Sequence, residues 1–261
     1  PHPRASHAEK AADWAIGTAM ECNLCGGHTW LDMGNRKGIR CADCDSLERT
    51  RAVKLVLDAL GRPRPGERIL HFAPEKGLSR LFKTISPDGY ESADFNPPIY
   101  PEAAPRKFDL TADCASLPTD TYDLILHMHV LEHIPINIAH VLHHFHRALK
   151  PTGLHIFSIP IIDASYDEYL GHLPHDAAEL RFGQHDHVRV FGEKDIRLHL
   201  GSILRLERAY SLRDYADDAT MARANIPEAL RSGLNGNTIF VMHKDDYLLW
   251  PEAACRAGQA D

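Results

Sequence analysis

At 261 residues the chain is long enough for one large domain, or for a domain of about 200 residues with a small appendage. Hydrophobic residues make up 44% and charged residues 25%, a globular balance, and no apolar run approaches the ~20 residues that span a bilayer, so a membrane partner is not expected. A net charge of -7 argues against a broad phosphate-binding surface, because nucleic-acid binders neutralise several phosphates with clustered Lys and Arg.

The first twenty residues, "PHPRASHAEKAADWAIGTAM", read as an N-terminal extension. They hold no sustained apolar core after a basic start, so no secretory signal is expected and the expected location is cytoplasmic. Residues 21–47 follow as a small metal unit. Cys22, Cys25, Cys41 and Cys44 form C-x2-C-x15-C-x2-C, the spacing at which two tight turns each offer two thiolates to one tetrahedral zinc. Four cysteines leave no open position for a substrate, so this Zn2+ is expected to be structural. Disulfides are disfavoured in a reducing compartment. Cys114 and Cys255 have no neighbouring motif and read as packed or surface thiols.

Ser46 is placed to cap a helix over "LERTRAVKLVLDAL", with Val53, Leu55, Val56 and Leu60 at helical spacing and Gly61 to stop it. Residues 48–66 thus form a connecting helix and linker. From residue 67 to 246 short apolar runs alternate with amphipathic segments, the pattern of a parallel sheet with helices on both faces. Strands are expected at Arg68 to Phe72, Tyr90 to Ala93, Leu124 to His127 and Leu154 to Ile159, with later ones near Leu204 to Tyr210 and Thr238 to His243. Helices are expected at Gly77 to Ile85, Ile136 to Leu149 and Glu193 to Leu200, and residues 247–261 form a tail. The stretch from Asp163 to Arg189 is the least regular, polar and rich in histidine.

The stretch "ILHFAPEKGLSRLF" is a strand, a turn and a helix, which sets backbone N–H groups and a positive helix end beside whatever binds there. About twenty residues on, Asp94 ends the next strand, the place of a carboxylate that accepts ribose hydroxyls. A second acid, Asp113, stands four residues before Leu117-Pro118, ahead of the Tyr122-Asp123 pair that leads into a strand.

With "DCASLP", "YDLILHMHVLEHI" and "HRALKPTGLHIFSIP" in this order, the segment from Glu67 to Lys244 resembles the class I S-adenosylmethionine-dependent methyltransferases of the type 11 kind. The resemblance implies an α/β, Rossmann-like, doubly wound seven-stranded sheet, here with an N-terminal zinc ribbon. It implies that the turn from His71 through Ala73 and Glu75 to Gly77 lies against the methionine part of S-adenosyl-L-methionine, that Asp94 holds the ribose, and that Asp113 and Cys114 meet the adenine edge. His127, Met128 and His129 would border the sulfonium, with Glu132 and His133 opening the next helix. The departure is the turn: His71 stands where the family has an acid, Ala73 and Glu75 replace the first two glycines, and only Gly77 remains. Each added Cβ disfavours positive φ and limits how closely backbone approaches a ligand.

Methyl transfer needs alignment and, for some acceptors, a base. Eighteen histidines are present and twelve fall between His127 and His187. His185 and His187 alternate, so on an extended chain they face one way and Asp186 the other; both are base candidates, with His129 behind them, or else the pair binds a second metal with a remote carboxylate. The preferred reading is a methyltransferase for a small-molecule acceptor at oxygen, nitrogen or sulfur. An RNA methyltransferase whose ribbon grips nucleic acid through Arg36, Lys37 and Arg40 is the alternative, disfavoured by so thin a basic footprint. A third is a non-catalytic module that kept the fold and lost the cofactor.

Overall fold

The computed structural model describes residues 19–250; the expected extension up to residue 18 and the tail from residue 251, with Cys255, lie outside them. The chain opens on an antiparallel hairpin of β1 (Trp30–Met33) and β2 (Arg36–Cys41), turned at Gly34 with φ +59°. Helix α1 (Glu48–Leu60) follows and ends at Gly61 in the left-handed conformation. Ser46 does not cap it: Leu47 is the N-cap, and the Ser46 hydroxyl instead lies 3.2 Å from the Cys22 sulfur.

Beyond the linker run β3 (Ile69–Phe72), α2 (Lys76–Ile85), β4 (Tyr90–Asp94), β5 (Arg106–Lys107), β6 (Tyr122–Met128), α3 (Ile138–Ala148) and β7 (Leu149–Ser158). Then come β8 (Ile161–Ile162), β9 (Asp167–Glu168), α4 (His175–Phe182), β10 (Arg189–Gly192), α5 (Ile196–His199), α6 (Asp218–Arg223) and β11 (Phe240–His243). The main sheet has the order β11-β7-β6-β3-β4-β5, with β11 antiparallel to β7 and the other pairs parallel. All four residues of β3 are buried, as a central parallel strand covered on both faces requires. Val53 and Val56 of α1 pack with Leu78 and Phe82 of α2 on one face, and Val141, Leu142 and Phe145 of α3 lie in the core on the other. This is the doubly wound α/β arrangement.

Among the described residues the sheet has six strands where seven were expected. The segment near Leu204 to Tyr210 makes one isolated bridge, Leu204 to Tyr247, and no ladder. Its backbone groups are taken elsewhere: Arg197 donates to the carbonyls of Glu207 and Arg208 at 2.7 Å, the Glu207 N–H donates to the Tyr210 hydroxyl at 3.0 Å, and the Arg205 N–H donates to the Asp246 carbonyl at 2.8 Å. The helix expected at Glu193 to Leu200 is cut to α5 and a short 3-10 turn.

The stretch from Asp163 to Arg189 is more ordered than expected, carrying β9 and α4. Strands β8, β10 and β9 form a separate small sheet. Arg189 is fully buried: it donates to the Leu131 carbonyl, to the Ile136 carbonyl at 2.8 Å and to Glu168 at 2.9 Å. Since Val188 N–H also donates to the Glu132 carbonyl at 3.0 Å, the histidine-rich insert is tied onto the loop that follows β6.

Candidate active site and metal cluster

From β3 the chain steps outward to β4 and β5, then returns to pair β6 on the other side of β3. Such a reversal leaves a crevice outside the carboxyl ends of the strands. A cavity of about 590 Å³ lies there, walled by Phe72 and Ala73 after β3, by Asp94, Asn96 and Tyr100 after β4, by Asp109 to Thr111, and by His129, His133 and Asp186.

Each wall has a local cause. Ala73 takes φ +47°, a left-handed conformation costly for a residue with a Cβ, and its N–H donates to the Ala93 carbonyl at 3.3 Å. Asp94 accepts the Asn96 N–H at 2.6 Å, and partial burial pushes its pKa up. Asp109 accepts from the Thr111 N–H and hydroxyl at 2.8 and 2.7 Å, folding that loop into a tight turn.

His129 also has positive φ, +55°, and its Nε2 lies 2.9 Å from the Gly236 carbonyl. A carbonyl only accepts, so Nε2 carries the proton and Nδ1 is left as a bare lone pair. That Nδ1 lies 3.6 Å from Glu132 Oε1. Burial, with Arg49 nearby, pushes the His129 pKa down to about 3, so the ring is neutral. Glu132 is fully buried with neither carboxyl oxygen hydrogen-bonded, and burial pushes it up to about 8. His133 Nδ1 meets Asp186 Oδ2 at 3.2 Å, and the His133 and His187 rings meet edge to face at 4.7 Å.

The four cysteines come together as their spacing requires. Gly26 N–H donates to the Cys22 carbonyl at 2.7 Å and Asp45 N–H to the Cys41 carbonyl at 3.0 Å, with Gly26 and Asp45 both at positive φ, so two matching turns face each other. Cys22 and Cys44 sulfurs are 3.5 Å apart, as are those of Cys25 and Cys41. A tetrahedral zinc with Zn–S near 2.3 Å spaces its sulfurs about 3.8 Å apart, so the donor set fits one such ion.

A family model described as a methyltransferase domain matches residues 25–200. The chain belongs to that family. Among solved structures, an S-adenosylmethionine-dependent methyltransferase from Mesorhizobium loti is 18% identical at a TM-score of 0.49, covering 76% of this chain and 98% of that one. Phosphoethanolamine N-methyltransferase 2 of Haemonchus contortus with S-adenosyl-L-methionine is 15% identical at 0.38, covering 58% and 36%. Coclaurine N-methyltransferase bound to N-methylheliamine and SAH is 15% identical at 0.44, covering 69% and 56%. A search of curated proteins returned no match.

In this methyltransferase domain the structure sorts the sequence candidates. Ala73, Asp94 and His129 line the cavity. His71 does not: it is fully buried behind the turn, with Nε2 at 3.2 Å from Glu75 and Nδ1 at 3.2 Å from the Tyr90 hydroxyl, which also draws Glu75 away. Gly77 faces the other way. A Cβ there would stand 3.2 Å from Leu24 Cδ1 and 3.3 Å from the Cys44 sulfur, so its bareness serves the close approach of the cysteine unit.

Asp113 and Cys114 do not line the cavity. Asp113 accepts the Asp109 N–H at 2.8 Å and the buried Cys114 thiol donates to the Leu110 carbonyl at 3.0 Å, so both brace the loop whose residues 109–111 form the wall. His127 is buried in the sheet against His155, Nε2 to Nε2 3.0 Å. Residues 183–188 turn rather than extend and β10 starts only at Arg189, so His185 and His187 are not set by strand alternation, although both line a second, smaller cavity beneath the insert. His187 turns in toward His133, while His185 packs on His175 at 5.1 Å. Sequence reasoning missed Asp109, Thr111, Asn96 and Tyr100; the Asp-x-Thr pattern at 109–111, able to fold on itself, was the available signal for the first two.

Proposed function

We propose that this domain transfers a methyl group from S-adenosyl-L-methionine to a small-molecule acceptor in the cavity at the ends of β3, β4 and β6. The observation that carries the reading is the coincidence of three things: the reversal of strand order, a cavity of about 590 Å³ at that point, and Asp94 at its wall as the last residue of β4. The bound cofactor supplies a methyl carbon already activated by the adjacent sulfonium. The chain aligns and, where needed, deprotonates the acceptor.

Asp94 accepts the ribose hydroxyls, and Leu110 and Thr111 border the adenine in place of Asp113 and Cys114. Ala73 keeps, at φ +47°, the backbone conformation that a glycine would otherwise supply, which favours retained cofactor binding over the non-catalytic module. Of the base candidates, His129 is the one that lines this cavity, with Nδ1 unprotonated, and its depressed pKa makes it a weak proton acceptor. The insert adds a second cavity of about 350 Å³, walled by Tyr169, Leu170, Leu173, Phe182, His185 and His187, which we assign to the acceptor. Zinc in the cysteine cluster is structural.

The RNA reading loses its support on the ribbon, where Arg36 pairs with Glu48, Lys37 with Asp32 and Arg40 with Asp45. Calorimetric titration with S-adenosyl-L-homocysteine is expected to show one site per chain. No heat and no thermal shift at millimolar ligand would overturn the cofactor assignment.

A further inference from the structure

We propose that Glu132, His133 and His187 form a binding site for a divalent first-row transition ion at the neck between the two cavities. Their donor atoms lie within 4.8 Å of one another, and the two imidazoles and one carboxylate are a donor set suited to such ions. Pro135 and Asp186 line both cavities, which places the group between them.

The unmet polar atoms carry the argument. Both Glu132 oxygens and His187 Nδ1 are buried with no hydrogen-bond partner. A buried carboxylate left bare costs several kcal/mol, so such a group is retained only with a proton or a cation against it. Among the described residues no Lys or Arg lies within 4 Å of Glu132. Its nearest charged or titratable groups are His129 Nδ1 at 3.6 Å and His133 Nε2 at 4.0 Å from Oε1.

The ring orientations suit a cation. His133 turns Nδ1 to the Asp186 carboxylate at 3.2 Å, which fixes the proton there and leaves the Nε2 lone pair facing Glu132. This is the carboxylate–histidine support that metal-ligating imidazoles use. Arg189 fixes the loop itself by gripping the carbonyls of Leu131 and Ile136 on either side of the two ligands. His187 arrives on the insert, whose Val188 N–H is held by the Glu132 carbonyl. All three ligands are thus positioned by bonds of their own neighbours.

Three protein ligands leave coordination positions open toward the cavities. Resting on the methyl-transfer reading above, this assigns the acceptor atom as a hydroxyl oxygen. The ion-bound hydroxyl, acidified by the cation, gives up its proton to solvent water, its oxygen forms the bond to the methyl carbon, and the carbon–sulfur bond breaks with its electron pair staying on sulfur.

The test uses the full chain with its cysteine cluster loaded with zinc and no cofactor present. Mn2+, which thiolates do not favour, is titrated in while the free-ion paramagnetic resonance signal is followed. Uptake of one Mn2+ per chain is expected. Glu132→Gln and His187→Ala should abolish it, Asp186→Asn should weaken it roughly 10- to 100-fold, and His185→Ala should bind like the parent. Co2+ added to the parent should give ligand-field bands without added sulfur-to-cobalt charge transfer, a readout independent of whether any variant folds. No saturable uptake beyond the zinc, or thiolate bands only, overturns the metal site; being measured without S-adenosyl-L-methionine, that result leaves the cofactor assignment standing.

Discussion

At the scale of single residues, two positions separate ligand contact from structural support. Asp94 ends β4, borders the cavity and spends one oxygen on the Asn96 N–H. Its remaining acceptor capacity is left for the proposed ribose contact, and hydrogen bonds to a charged acceptor contribute ~1.5–3 kcal/mol. Asp94→Ala should therefore weaken S-adenosyl-L-homocysteine binding roughly ten- to hundredfold by calorimetry, and unchanged affinity would show that the ribose lies elsewhere. Gly77 is the opposite case. An alanine there gains about 1 kcal/mol of helix propensity but meets Leu24 and a cysteine sulfur that a bound metal would hold still. A valine adds two more carbons at that contact, so Gly77→Val should cost ~1–3 kcal/mol of stability before any cofactor is added. A lowered melting midpoint of the cofactor-free protein is expected; an unchanged midpoint with lost cofactor binding would return Gly77 to the cofactor loop.

At the scale of elements, the cysteine unit and the turn after β3 support one another. Leu24 and Cys44 sit against Gly77 near the start of α2, and Lys76 and Arg80 of the same helix reach Asp45 and the Asp43 carbonyl. Arg51 of α1 joins the unit to the domain from the other side. Fully buried, its guanidinium donates to the carbonyls of Ser46 and Ile39 in the unit and to those of Ala224 and Asn225 in the domain. The helix read as a connector is thus a staple. Removing zinc with a chelator should loosen α2 and lower cofactor affinity although no cysteine lines the cavity; affinity that survives metal removal would show the unit to be a passive appendage. The central strands and α1 to α3 were legible because period and turn residues are local signals. The strand expected near Leu204 was lost to Arg197, whose capture of two carbonyls no local pattern reports. The division between His185 and His187 depends on a turn at 183–188 and on Arg189 anchoring the insert 53 to 58 residues back in the chain, contacts that spacing alone does not reveal.

At the scale of the whole molecule, a row of buried histidines ties sheet to helix and should make the fold acid-sensitive. His146 of α3 sets Nδ1 3.1 Å from the Lys244 carbonyl, His155 of β7 meets His146 at 3.3 Å, and His127 of β6 meets His155 at 3.0 Å. The carbonyl fixes the order: His146 donates to it and accepts from His155, which accepts from His127, so all three rings are neutral and His127 Nδ1 ends the row as an unpaired acceptor. The environment opposes charging. Burial, with the other histidines beside them, pushes His127 to about 3 and His155 well below its ordinary value, and His146 falls to about 4 even with Asp246 near it. An unfolded histidine binds its proton near pH 6.5. Below that pH the unfolded chain takes up protons that the folded one refuses, so the stability these rings allow is complete above 6.5 and is lost as pH falls toward 4. Between pH 6 and pH 5 the loss is about 1 kcal/mol per histidine. Three such groups matter against a total of roughly 5–15 kcal/mol. Acid also attacks the cysteine cluster, so the slope has to be isolated by comparison. His127→Phe preserves the ring packing against Phe145 and Phe157 and removes one titrating group while leaving His155 only an unmet acceptor. Urea unfolding at matched pH values should show this variant losing about 1 kcal/mol less stability than the parent between pH 6 and pH 5. Parallel curves for parent and variant would mean that His127 is not held neutral by the fold.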